Sequence, residues 1–306
     1  MKTRIVLFML IVVLAATLAL PGAALAQEGG FPVTVTDAVG REVTVSAPPQ
    51  RIVSLAPAHT EVLWAIGAGA LQAGRSEFCN YPPEVEAVRV VGGFSSDTIS
   101  VEAIVDLDAD LVLGDSLHAD LAPTFDALGI PFAVIIPIQL RGLYSDMLKI
   151  GLLTGHVSEA AALVVDMESR IGAVEYRLAL DVPFDQRKTF FYEVWNDPLM
   201  TAGRSTFLSE IVTVAGGVNI FSDLADAYPT VSAEVVIERN PDVIVGSSFI
   251  DPEAIAARQG WENVTAVRAG AIYGFDDDVM QRPGPRVADA VEMVAATLYP
   301  ELFGAQ

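Results

Sequence analysis

The sequence predicts an α/β fold of two lobes, each with a central, mostly parallel sheet flanked by helices, the lobes joined by one long backbone helix. Three observations carry that expectation. Short apolar runs of strand length alternate with helical stretches, the rhythm of a parallel sheet covered on both faces. One segment recurs: 100–114 can be laid on 232–246 with Ser, Glu, Asp and Gly in register, each copy reading as a capped short helix, a turn and a buried strand ending at Gly. Between the two copies, 141–180 carries apolar residues at near-helical spacing and no proline.

Taken in order, the chain opens with Lys2 and Arg4, an apolar run over 5–20, a Pro21-Gly22 break and Ala24-Leu25-Ala26. That order predicts a secretory signal peptide over 1–26, cut before Gln27. The other reading is a retained anchor, for which a spanning helix needs about 20 apolar residues; the Ala-Leu-Ala site favours cleavage. No Cys follows the apolar run, so no lipid can be attached there.

An N-terminal lobe is then expected over 27–140. Val33-Thr34-Val35-Thr36-Asp37 and Arg41-Glu42-Val43-Thr44-Val45 alternate around Ala38-Val39-Gly40 as a β-hairpin. Arg51-Ile52-Val53-Ser54-Leu55 follows as a buried strand, and Pro57 opens a helix that Gly67 and Gly69 end. The backbone helix is expected over 141–180, nicked at Gly151 or Gly155. At about 1.5 Å per residue it could span a whole lobe. Asp181-Val182-Pro183 stops it, and a C-terminal lobe fills 181–306, starting with a strand near Thr189.

The charge narrows the partners. With 18 Lys and Arg against 39 Asp and Glu the chain carries −21, and losing Lys2 and Arg4 with the signal makes it −23. Such acidity opposes nucleic acid and anionic lipid as partners, and with no further spanning apolar run after the signal, no membrane insertion is expected after cleavage. It suits a positively charged docking partner, or serves only to keep an exported monomer soluble. Cys79, the single cysteine, cannot form an internal disulfide even in an oxidising compartment, so stability must come from apolar burial.

Catalytic patterns are missing. There is no Gly-x-Ser-x-Gly elbow, Walker A loop or His-Glu-x-x-His, and Gly92-Gly93 and Gly216-Gly217 lack dinucleotide-loop spacing. Cys79 has no adjoining base and reads as an inert thiol. His59 and His156 read as surface or capping residues, whereas His118 follows a strand's carboxyl end, where open α/β sheets bind ligands. A single histidine does not build a zinc or manganese centre, though it can hold a haem iron. No metal site, catalytic group or resident cofactor is expected.

Aromatics collect near turns in both halves: Phe78, Tyr81, Phe94, Trp195 and Phe249. Each alone reads equally as core. Together they predict a cleft for a large flat ligand, oriented by Ser95, Ser116, His118, Asp278 and Arg282.

Pro49-Gln50-Arg51-Ile52-Val53-Ser54-Leu55-Ala56-Pro57-Ala58-His59-Thr60-Glu61, Asn80-Tyr81-Pro82-Pro83, Val91-Gly92-Gly93-Phe94-Ser95, Ala215-Gly216-Gly217-Val218-Asn219 and Arg282-Pro283-Gly284-Pro285-Arg286 resemble the helical-backbone solute-binding proteins of ABC importers for cobalamin, ferric siderophores and haem. The likeness runs over nearly all of 27–306 in one order. It implies a small hinge motion, a metal-complex ligand held between the lobes, and delivery to a permease dimer. The cobalamin branch is the most similar, with Phe78, Tyr81 and Phe94 on its cleft positions and Asp278 and Arg282 matched more loosely. Phe94 stands where that branch has Trp, and Val279 and Met280 where it has aromatics, which leaves haem and ferric siderophores open. The resemblance also implies docking on the permease through one carboxylate per lobe, Glu61 and Glu210. As alternatives, Glu61 favours its helix dipole and Glu210 is an ordinary solvated helix face. A ligand sensor or a secreted enzyme on the same lobes are the competing classes. Lacking a lipid-bearing cysteine, the protein is expected in the periplasm.

Overall fold

The computed structural model describes residues 30–136 and 139–304, so the signal peptide expected over 1–26 lies outside the described residues. Strands β1 (Val33–Thr36) and β2 (Glu42–Val45) pair antiparallel, Val33 opposite Val45. Their inward valines are buried while the alternate threonines face water, the two-residue period that makes the hairpin legible.

The N-terminal sheet is built from β3 (Ile52–Ser54), β4 (Gln72–Ser76), β5 (Arg89–Gly92), β6 (Leu111–Gly114) and β7 (Phe132–Val134). All run parallel, in the order β5-β4-β3-β6-β7. Helices α1 (Pro57–Ala65), α2 (Val101–Asp106) and α3 (Ala122–Leu128) cover it. The segment expected as one rod over 141–180 is two helices instead, α4 (Leu140–Thr154) and α5 (Val157–Asp181). The break falls at Gly155, one of the two glycines where an interruption was expected. Gly155 takes φ +78°, which ends α4 in a left-handed cap, and His156 N–H then closes on Gly151 C=O. Gly151 is needed for a second reason: a Cβ there would come within 2.4 Å of Ala160 on α5. The rod is therefore α5 alone, 25 residues and about 37 Å long.

The C-terminal sheet contains β8 (Thr189–Trp195), β9 (Met200–Thr201), β10 (Val218–Asn219), β11 (Val243–Ser247) and β12 (Ile272–Phe275). Its parallel path is β10-β8-β11-β12, with β9 antiparallel on β8. Helices α6 (Phe207–Val214), α7 (Ala233–Arg239), α8 (Pro252–Ala256), α9 (Thr265–Ala269), α10 (Asp277–Met280) and α11 (Val287–Leu298) surround it.

The internal repeat maps onto equivalent positions. Ser100 caps α2 by accepting from Ala103 N–H, and Ser232 caps α7 by accepting from Val235 N–H. The matched aspartates also do the same work. Asp110 accepts from the N–H groups of Gln50 and Arg51 at the start of β3, and Asp242 from the N–H of Thr189 at the start of β8. The two lobes are built alike.

Three apolar cores follow. One lies behind the N-terminal sheet around Phe125 and Phe132, and one behind the C-terminal sheet around Phe191, Phe221 and Trp261. The largest is continuous from the hairpin and β3 through α4, α5 and α11 to β8 and β11. Arg170 on α5 further binds Asp289 and Glu292 on α11. Cys79 is fully buried, and burial pushes its thiol above the ordinary range, as suits an inert residue.

Candidate functional site

The carboxyl ends of both sheets lead into one gap. From the N-terminal lobe come the turn after β3 with the start of α1 (Ala56 to His59), the turn after β6 (Asp115, Ser116) and Ile135 and Ile136 beyond β7. From the other lobe come Asp277, Asp278, Gln281 and Arg282. They enclose a cleft of about 420 Å³. Phe78 and Phe94 stand in it edge to face, with ring centroids 5.4 Å apart. They remain 44% and 57% exposed, far more than a core pair, so their faces are available to a third partner.

One rim of the cleft is closed by a polar network that crosses between lobes. Arg286 donates to both oxygens of Glu61, from Nε at 2.9 Å and Nη2 at 2.6 Å, and its guanidinium lies 4.3 Å from the Tyr81 ring centroid. Arg282 donates to Glu61 (3.3 Å), to Asn80 Oδ1 (2.6 Å) and to Asp278 (2.6 Å), while Asn80 Nδ2 donates to Asp278 Oδ2 at 3.0 Å. Burial works against the Arg286 charge, but Glu61 outweighs it and holds the group protonated above its ordinary range.

This corrects one expectation. Glu61 is not an exposed docking carboxylate: it is 3% exposed, because the loop carrying Arg282 and Arg286 folds over the start of α1. Glu210 is half-buried and is also engaged. Gln139 makes no side-chain cap for α4, and Glu210 Oε2 takes the first orphan N–H, that of Leu140, at 2.9 Å.

The other candidates separate into groups. Phe78, Phe94, Ser116, Asp278 and Arg282 line the cleft, and Tyr81 sits on its rim under Arg286. Ser95 instead secures the turn after Phe94, its hydroxyl bonded to Asp97 and its carbonyl accepting from Thr98. His118 does not reach the cleft either. It is 1% exposed, with Nδ1 2.8 Å from Asp115 Oδ1, because that carboxylate closes the turn by binding both Leu117 N–H and the imidazole. Trp195 and Phe249 line a separate recess of about 430 Å³ on the C-terminal lobe, beside the Glu193–Arg258 pair.

His59, expected as a surface or capping residue, is buried at 3%, lining the cleft floor with Nδ1 finding no partner among the described residues. Its imidazole is pushed below the ordinary range, by burial first, against the pull of Asp115 and Asp146 and with help from His118. An unfolded chain takes that proton near pH 6.5 whereas the folded one resists it, so stability should fall as pH is lowered from 7 toward 5. The limit for one such group is about 1.4 kcal/mol per pH unit. Thermal melts of His59→Gln should show a visibly flatter pH dependence over that window; an unchanged slope would locate the effect elsewhere. Among the described residues no cluster of three or more His, Cys, Asp or Glu could hold a metal ion.

The comparisons decide the family. The periplasmic binding protein family matches residues 52–279. An uncharacterised ABC transporter substrate-binding lipoprotein of Bacillus subtilis, YvrC, is 32% identical over 279 residues, 89% of this chain and 87% of its own. The chain belongs to the periplasmic binding protein family. As a member it is a substrate-binding component of ABC transport, not an enzyme. A cobalamin-binding protein of Halobacterium salinarum is 29% identical, with 94% of this chain and 82% of that one covered. The crystal structure of the vitamin B12-binding protein BtuF of Vibrio cholerae superposes with a TM-score of 0.67 at 28% identity, over 83% of this chain and 98% of that one. In this family member the cleft lies between the two lobes, and no helix among its described residues is long and apolar enough to cross a membrane.

Proposed function

We propose that the protein is exported to the periplasm, captures a cobalamin-type corrinoid between its lobes as a monomer with no resident cofactor, and hands it to an ABC importer permease dimer. The observation that carries this reading is the exposed Phe78–Phe94 pair set in a cleft whose other wall is polar and comes from the opposite lobe. Such a surface suits a broad, flat ligand with an apolar face and hydrogen-bonding edges. The relatives named for cobalamin and vitamin B12 support the same choice. Docking on the permease falls to Glu210, and to Glu61 only once Arg282 and Arg286 release it.

The test is calorimetry of the purified protein with cyanocobalamin, haem and a ferric hydroxamate siderophore. Cyanocobalamin should bind one to one and near nanomolar, a free energy of about 12 kcal/mol. Tight binding of haem or the siderophore with no response to cyanocobalamin would reject the corrinoid assignment.

A further inference from the structure

Past Gln281, which lines both spaces, the interlobe cleft gives way to a recess of about 320 Å³ in the C-terminal lobe, walled by Tyr192, Met200, Leu208, Tyr228 and Ser247. One wall carries an unmet polar group. Along β8, Phe191 joins the aromatic core with Trp261, while Phe190 and Tyr192 turn to the shared core. Tyr192 is 2% exposed, and its hydroxyl finds no hydrogen-bond partner among the described residues. A phenylalanine would fill the same space without burying that oxygen, so packing does not account for the hydroxyl.

The surroundings define what the hydroxyl can meet. Burial first, then the nearby Asp277 carboxylate, hold the phenol protonated far above its ordinary range, so it acts as a donor. Two consecutive carboxylates, Asp277 and Asp278, line the cleft together with Gln281, the residue shared with the recess. Glu193, also in the wall, is neutralised by Arg258 through two bonds of 2.6 and 2.7 Å, and among the described residues no Lys or Arg lines the recess to receive an anion. Gln281 spends its amide N–H on Asp277.

We propose that this recess is a subsite for a neutral hydrogen-bond acceptor on the ligand, a carboxamide arm of the corrinoid, with the Tyr192 hydroxyl donating to its carbonyl oxygen, and that it discriminates against ligands presenting a carboxylate there. The assignment rests on the corrinoid reading above and extends it to specificity. On this assignment the ligand supplies the partner that the described residues do not give the buried hydroxyl.

Tyr192→Phe separates the subsite from a structural role. The ligand-free variant should melt at the same temperature as the parent or higher, because an unmet polar atom has been removed, while its cyanocobalamin Kd rises about tenfold in calorimetry. A second arm compares cyanocobalamin with a preparation whose peripheral amides have been hydrolysed to carboxylates. The parent should prefer the amide form by on the order of tenfold, and Asp277→Asn should narrow that preference. Unchanged cyanocobalamin affinity in Tyr192→Phe, or equal binding of both forms by the parent, would overturn the subsite alone. Failure of the parent protein to bind any corrinoid would overturn the functional reading and the subsite with it.

Discussion

Glu61→Ala should lower the melting temperature by on the order of 6–12 °C and loosen the cleft rim. Glu61 receives three donors from two arginines, and its side chain is 2% exposed against 13% and 15% for Arg282 and Arg286. Deleting one partner of a buried ion pair costs about 3–5 kcal/mol, chiefly because the charges left behind are unpaired. The low end applies here, since Arg282 keeps Asn80 and Asp278. For a chain of this size each kcal/mol moves Tm by roughly 2–4 °C. Replacing both arginines by Met in the Glu61→Ala background should recover part of the loss, as it removes the orphaned charges. Differential scanning calorimetry reads both; an unchanged Tm in the single variant would show that the network is solvated and contributes nothing.

The double substitution Phe78→Ala, Phe94→Ala should raise the Kd for cyanocobalamin by about 100-fold, or about 2.7 kcal/mol, with little change in Tm. Large aromatics at the centre of a contact carry most of its energy, often about 2 kcal/mol or more each. Their own edge-to-face contact is worth only about 0.5–1.5 kcal/mol to the fold, and both rings are already half in water. Titration calorimetry beside a thermal melt distinguishes the two effects. Equal losses of affinity and stability would return the pair to a packing role.

Much of the architecture could be read from residue spacing, because local physics sets it. The hairpin declared itself through the alternation of Val and Thr in 33–45, and the paired lobes through a repeat whose Ser and Asp have identical jobs in each copy. The break in the rod was marked by Gly155, whose conformation other residues adopt only under strain. The site was legible only where a residue's fate depends on its own neighbourhood, as for Phe78 and Phe94 beside their turns. It was hidden where a distant partner decides. Glu61 looks like a first-turn surface carboxylate until Arg286, 225 residues later, covers it. His59 was buried on the cleft floor near Ile135, and Trp195 and Phe249 were set in a recess apart from the aromatic pair, whereas His118 was drawn inward by a local partner, Asp115. Tyr192 gave no signal at all, since a tyrosine in an apolar strand reads as core until its unpaired hydroxyl is located.

The continuous core through α4, α5 and α11 sets a limit on how the protein lets its cargo go. The two halves are not separate bodies on a strap; Ile52, Leu63 and Ile150 share one oily interior with Phe190, Ile211 and Val291. Swinging them apart by enough to wet 400 Å² of that interior, an illustrative area of roughly this size, would cost about 10 kcal/mol, comparable to the stability of an entire domain. Release is therefore expected through small breathing displacements at the mouth, with the radius of gyration nearly the same with and without ligand in small-angle scattering, the far side of the molecule staying clenched like a fist behind a pair of moving fingertips.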